Sequence, residues 1–113
     1  MLLDAKPLKV LTNASSLNTL SEPFGLTDGD IVIIVDFKSG VTAGAVQLES
    51  AHGADYTGTW KTEDTITFSG SAPLELSKRI IPTGAVGRLT ITPAISNGVI
   101  DAYIERSIAG FMG

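Results

Sequence analysis

The chain has 113 residues, a formal net charge of −4 from 8 basic and 12 acidic residues, and no cysteine. This length suits one domain with its own core, and the lack of cysteine excludes disulfides and thiolate metal sites. The scattered basic residues disfavour nucleic-acid binding. The longest strongly apolar run, residues 31–35, is far shorter than the roughly 20 residues of a membrane helix.

Strand patterns recur along the whole chain. Alternation and β-branched residues predict strands over residues 8–12, 20–26, 30–38, 42–50, 56–61, 65–68, 74–76, 86–92 and 99–107. Gly or Pro interrupts most windows before an amphipathic helix could complete. We therefore predict a single all-β domain over residues 1–113, an antiparallel β-sandwich that is Ig-like or jelly-roll-like, with about 7–8 strands and no substantial helix.

Turn signals suggest how these strands connect. Ser39-Gly40 predicts a hairpin between residues 30–38 and 42–50, and Asn97-Gly98 predicts another between the last two strands. The segment 74–76 is expected to pair with 65–68. Pro23 confines the segment 20–26 to a sheet edge.

The two-residue period assigns faces to the strands. In the last strand, Ile100, Ala102 and Ile104 share the face predicted to be buried, whereas residues 101, 103 and 105 share the wet face. The strand from Ile31 departs from this rule, because Val32 and Ile34 make its second face apolar as well. Either a loop covers that face of a central strand, or the face is a subunit contact.

One residue and two terminal segments are further candidates for partner contacts. The residue is Tyr103, which points away from the predicted core. Apolar terminal segments, residues 1–6 and 108–113, are expected to serve packing or assembly, with Ile108, Phe111 and Met112 docking on their own domain or on a neighbour.

The sequence contains few of the residue patterns that catalysis requires. His52 is the only imidazole, it lies in a predicted turn, and no Gly-x-Ser-x-Gly elbow is present. One His without Cys does not make an ordinary zinc site, and the acidic segments 27–30 and 63–64 lack the spacing of a calcium loop. We predict no catalytic residues, no metal, no cofactor and no enzymatic activity.

Tyr56 and Trp60 suggest a second possible function, a carbohydrate- or ligand-binding module. If both side chains are exposed, their rings could stack against sugars. Alternatively, Trp60 fills or seals the core and its indole N–H donates to a backbone carbonyl.

Several segments together carry a family resemblance. They are residues 9–15, residues 31–37, the run Ala-Gly-Ala-Val-Gln-Leu-Glu-Ser at 43–50, the turn at 51–55, Thr59-Trp60, residues 86–92 and residues 96–104 with their Ser-Asn-Gly turn. In this order the chain resembles small β-sandwich proteins encoded among the structural genes of tailed bacteriophages, including capsid decoration (cement) proteins and related head or tail components.

The resemblance implies assembly onto a particle. A capsid decoration protein is the first expectation, and a tail or head–tail connector component is an alternative. The implied partners are the major capsid protein or other virion proteins and further copies of the chain in a dimer or trimer, without nucleic acid or membrane. Residues 1–4 lack the features of a signal peptide, so we expect synthesis in the host cytoplasm. The resemblance implies a final location in the virion.

Overall fold

A computed structural model describes residues 8–26, 31–38, 40–70 and 75–106. These residues form strands and loops and contain no helix, hence none that could cross a membrane. The strands are β1 (Leu8–Ala14), β2 (Phe24–Gly25), β3 (Ile31–Phe37), β4 (Gly44–Ala51), β5 (Lys61–Phe68), β6 (Glu75–Ile80), β7 (Val86–Ile91) and β8 (Ile100–Arg106).

The strands form two antiparallel four-stranded sheets. The first sheet has the order β1-β8-β3-β6, and the second has the order β2-β7-β4-β5. Only β4 and β5 are neighbours both in the chain and in a sheet, because the other connections cross from one sheet to the other. This is the strand order of an eight-stranded jelly roll. The predicted all-β antiparallel sandwich is confirmed, and the order selects the jelly roll over the Ig-like arrangement.

The core lies between the inner faces of the two sheets. Ile31, Ile33, Val35 and Phe37 of β3 are almost completely buried, as the alternation predicts. Phe37 stacks on Phe68 of the second sheet with ring centroids 4.8 Å apart. The same core contains Leu89 and Ile91 of β7 and Ile100, Ala102 and Ile104 of β8, together with residues of β4 and β5 such as Val46, Leu48 and Ile66.

The predicted pairings between consecutive strands are wrong in three places. β3 and β4 lie in different sheets, as do β5 with β6 and β7 with β8. The turn residues themselves behave as expected, since Gly40 and Asn97 have positive φ values of 100° and 63°. A turn reverses the chain, but it does not decide which sheet the next strand joins.

Two predicted strands change their extent. Within the segment 56–61 only Lys61 belongs to a strand, since the preceding residues form the β4–β5 loop. The segment 20–26 contributes the short edge strand β2 and an isolated bridge between Leu20 and Thr90. The edge position required by Pro23 is therefore observed.

Candidate interaction surface

The outer face of the first sheet brings three predicted contact residues together. Ile34 of β3 lies directly opposite Tyr103 of β8, and Val32 lies one pleat away opposite Glu105. All three residues are half-buried. Because β8 lies between β1 and β3, segments about 70 positions apart in the chain form one continuous surface. We call Val32, Ile34 and Tyr103 the tyrosine face.

The other predicted contacts cannot be placed on this surface. Ile108, Phe111 and Met112, like the segments 1–6 and 108–113, lie outside the described residues. The strand that precedes the C-terminal segment ends at Arg106, which pairs with Ile31 at the beginning of β3.

A covered carboxylate lies beside the tyrosine face. The Asp101 side chain is only 4% exposed, and its Oδ2 lies 2.8 Å from Lys38 Nζ and 3.3 Å from Lys9 Nζ. Its Oδ1 accepts a hydrogen bond of 2.9 Å from the backbone N–H of Asn13. We call these four residues the Asp101 cluster. It joins β8 to β1 and to the residue that follows β3.

Burial and hydrogen bonds act in opposite directions on the pKa of the Asp101 carboxyl group. Burial raises the pKa of Asp101, but hydrogen bonds from Lys38, Asn13 and Lys9 lower it by more, so the pKa lies below its usual value. The hydrogen bond to Asp101 also holds the pKa of Lys38 above its usual value. Lys9 Nζ lies 5.8 Å from the Tyr103 ring centroid, which links the cluster to the tyrosine face.

Charged residues lie at both ends of the apolar centre, measured along the strand direction. At one end, Arg79 of β6 lies opposite Val32, which on its other side faces Glu105 of β8. At the other end, Asp36 of β3 lies between Glu75 of β6 and Asp101 of β8. An apolar and aromatic centre with a charged rim is the anatomy of a protein–protein interface.

Trp60 lies at the second sheet, away from the tyrosine face. It is 6% exposed, and its indole N–H donates to the backbone carbonyl of Tyr56 at 3.1 Å. The Arg88 guanidinium lies 4.1 Å from the indole centroid, and its Nε lies 2.8 Å from Glu49 Oε1. Tyr56 is half-buried, with its ring 4.8 Å from that of His52.

This arrangement leaves no open indole face for a sugar. Arg88 covers one face of the ring, and the low exposure of Trp60 shows that the remainder is covered too. The backbone carbonyl expected to accept from the indole N–H is observed. The expectation that Trp60 fills or seals the core is not met, because Trp60 lies outside the core cluster and packs on Arg88, which points outward from β7 while Leu89 points inward.

The acidic segments considered for calcium do not form a site in the described part of the chain. Residues 27–30 lie outside it. Glu63 accepts hydrogen bonds from Ser50 and Thr83, whereas Asp64 binds Lys78. The described residues contain no group of three or more His, Cys, Asp or Glu side chains that could hold a metal ion.

Sequence reasoning missed the Asp101 cluster. Alternation assigned Asp101 to the wet face, where an exposed carboxylate was expected. Its partners are 92, 88 and 63 positions away, at Lys9, Asn13 and Lys38. No local pattern signals such a contact, because it depends on β8 being inserted between β1 and β3.

Comparisons with protein-family models, curated proteins and solved structures gave no match. The name jelly roll thus rests on the strand order of the two sheets.

Proposed function

We propose that this chain is a structural protein of a tailed-bacteriophage virion, in particular a capsid decoration protein that binds the major capsid protein. The resemblance of residues 9–104 to such proteins supports this proposal. The jelly-roll fold is compatible with it, since viral capsid domains use this architecture, although the same fold serves lectins and cupins.

The tyrosine face is the observation that carries the proposal. Its side chains extend from two adjacent strands of an ordered sheet, so little conformational entropy is lost when a partner binds. An aromatic ring and two aliphatic side chains supply apolar contact area, and the lysines and carboxylates around them supply orientation. Such a surface suits binding to another protein.

Decoration requires many modest contacts acting together. A protein bound at junctions between capsid subunits links neighbouring subunits, and the symmetry of the shell repeats each link many times. The shell then resists internal pressure even when a single contact is weak, because effective concentration strengthens each further contact.

Binding to shells tests this proposal. Wild-type protein, Ile34→Lys and the matched control Thr67→Lys would be incubated with shells of the source phage that lack the native protein, and then sedimented. Thr67 is exposed in β5 of the second sheet. We expect wild type and the control to bind alike, and Ile34→Lys to bind at least about tenfold more weakly, as for a charge placed within an apolar interface centre.

Two results would contradict parts of this account. Equal binding of Ile34→Lys and wild type, with both folded by circular dichroism, would exclude the tyrosine face as the contact. Failure of wild type to bind shells would exclude decoration. If wild type bound isolated tails or connectors instead, the tail or connector alternative would replace it.

A further inference from the structure

The strand β6 is the outermost strand of the first sheet in the described part of the chain. On one side it pairs with β3, from Ile31↔Ile80 to Asp36↔Glu75. On the other side it lies near β5 of the second sheet, and Lys78 Nζ reaches Asp64 Oδ1 there at 2.9 Å. An outermost strand of this kind can accept a further strand through its backbone groups.

We propose that β6 pairs in antiparallel fashion with β6 of a second copy of this chain, about a two-fold axis at Ser77. The inference does not depend on the proposed virion function. It follows from which registers two-fold symmetry allows and from the charges that each register brings together.

Two-fold symmetry allows only a few registers for the pairing of two β6 strands. In an antiparallel pair that is related by a two-fold axis perpendicular to the sheet, one residue must lie directly opposite its own copy. The pleat then places outward side chains opposite outward side chains. Within β6, Ser77 and Lys78 are the two central residues that could occupy the axis.

The charges distinguish these two registers. With Ser77 at the axis, Glu75 lies opposite the partner's Arg79, and Arg79 lies opposite the partner's Glu75. With Lys78 at the axis, two lysines face each other. Opposite charges in directly opposed positions stabilise a strand pair, and like charges destabilise it. Glu75, Ser77 and Arg79 are all exposed on the outer face of β6.

An inward-facing charge at an edge usually prevents strand pairing. Lys78 has such a position, since its neighbour in β3 is the inward-facing Ile33. Its ammonium group is neutralised within the same chain by Asp64. In the proposed register the aliphatic part of Lys78 lies opposite the partner's half-buried Leu76, so no uncompensated charge enters the interface.

Pairing would give one continuous eight-stranded sheet of the order β1-β8-β3-β6-β6-β3-β8-β1. The tyrosine faces of both copies would then lie on the same side of that sheet. A single strand pair buries less area than a standard stable interface, so we expect a weak, concentration-dependent dimer. Two linked faces would bind a repetitive surface more tightly than one.

Reversing the charge at Glu75 or at Arg79, and then mixing the two variants, tests the inference. Sedimentation equilibrium of wild type, Glu75→Arg, Arg79→Glu and an equimolar mixture of the two variants would be measured from about 1 μM to about 1 mM, a range that resolves weak association. We expect wild type to dimerise and each variant alone to dimerise about tenfold or more weakly. The mixture should restore a one-to-one heterodimer, because every pair is then again of opposite charge.

The outcomes separate this register from other modes of association. Monomeric wild type over the whole range would overturn the inference. So would dimerisation of Arg79→Glu at wild-type strength, or a mixture that fails to associate while wild type does. Restoration in the mixture also shows that both variants are folded, so misfolding does not account for the loss in each alone.

Discussion

Asp101 shows how one side chain can organise the edge of a sheet. β1 pairs irregularly with β8, with register shifts on both sides of Leu11. At Asn13 the chain has a φ of 47°, and its N–H turns towards the Asp101 carboxylate. Since a buried carboxylate is stable only with partners, Lys9 and Lys38 allow Asp101 to remain charged at this position.

Replacing Asp101 should destabilise the domain. Asp101→Asn removes two ion pairs and weakens the acceptor for the Asn13 N–H, so we expect a loss of about 1–3 kcal/mol in the free energy of unfolding. Asp36→Asn is the matched control, because Asp36 lies directly opposite on β3 and is only half-buried. Urea unfolding followed by circular dichroism measures both. Equal effects would contradict a special role for Asp101.

The same cluster predicts how stability depends on pH. The folded-state pKa of Asp101 lies below its unfolded value, so the unfolded chain binds more protons in acid. The stabilisation that ionised Asp101 gives to the folded domain is present above the pKa of Asp101 in the unfolded chain, about 3.9. It is lost as the pH falls through the lower pKa of Asp101 in the folded domain. The stability difference between wild type and Asp101→Asn should therefore shrink from pH 6 towards pH 3, in about the interval where carboxylates protonate. A constant difference over this interval would contradict the argument.

At the scale of elements, Glu63 holds the β6–β7 connection. Its Oε2 accepts hydrogen bonds from Ser50 Oγ at 2.6 Å and from both the N–H and Oγ1 of Thr83 at 2.9 Å. Lys61 Nζ donates to Thr83 Oγ1 at 3.0 Å. This network fixes a loop on which Ile81 is 76% exposed.

Removing the Glu63 carboxylate should loosen that loop. We expect Glu63→Ala to reduce the free energy of unfolding by about 1–2 kcal/mol and to speed hydrogen exchange at the Thr83 amide, because its acceptor is lost. Glu22→Ala is the control, since Glu22 is an exposed glutamate of the β1–β2 connection. Unchanged exchange at Thr83 would show that the loop is held by other contacts.

Trp60 offers a direct optical test of the β4–β5 loop. It is the only tryptophan, so the fluorescence of the chain reports its environment alone. We expect blue-shifted emission, weak quenching by acrylamide and no response to glycans, since the indole is covered and its N–H is bonded. Emission like that of free tryptophan, changing when a glycan is added, would favour the ligand-binding alternative.

Sequence patterns predicted the strands and their faces better than their partners. Alternation correctly buried Ile100, Ala102 and Ile104, because side-chain direction is a local property of an extended chain. Pairing is not local in a jelly roll. The sequence Ser39-Gly40 is typical of a hairpin turn, yet β3 pairs with β6 and β8 instead of β4.

At the scale of the whole molecule, the candidate surface was predictable only in part. Val32 and Ile34 stood out because they break the polar alternation of an outer face. Tyr103 stood out as an aromatic residue on the polar side of its strand. That these residues are neighbours follows from the order β1-β8-β3-β6, which no segment of the sequence specifies by itself.

The fold and the proposals together describe a molecule with two distinct surfaces for assembly. The tyrosine face is directed outward from the first sheet, whereas β6 forms an edge of that sheet. Pairing through β6 leaves the tyrosine face accessible, so association between copies and binding to a shell are compatible.

The measurement that tests the central claim most directly is the copy number of this protein in purified particles from its source. Quantitative mass spectrometry would compare it with the most abundant shell protein. We predict a ratio near a simple fraction of the shell copies, as repeated binding to a symmetric shell requires. Absence of the protein from the particles would contradict a virion function altogether.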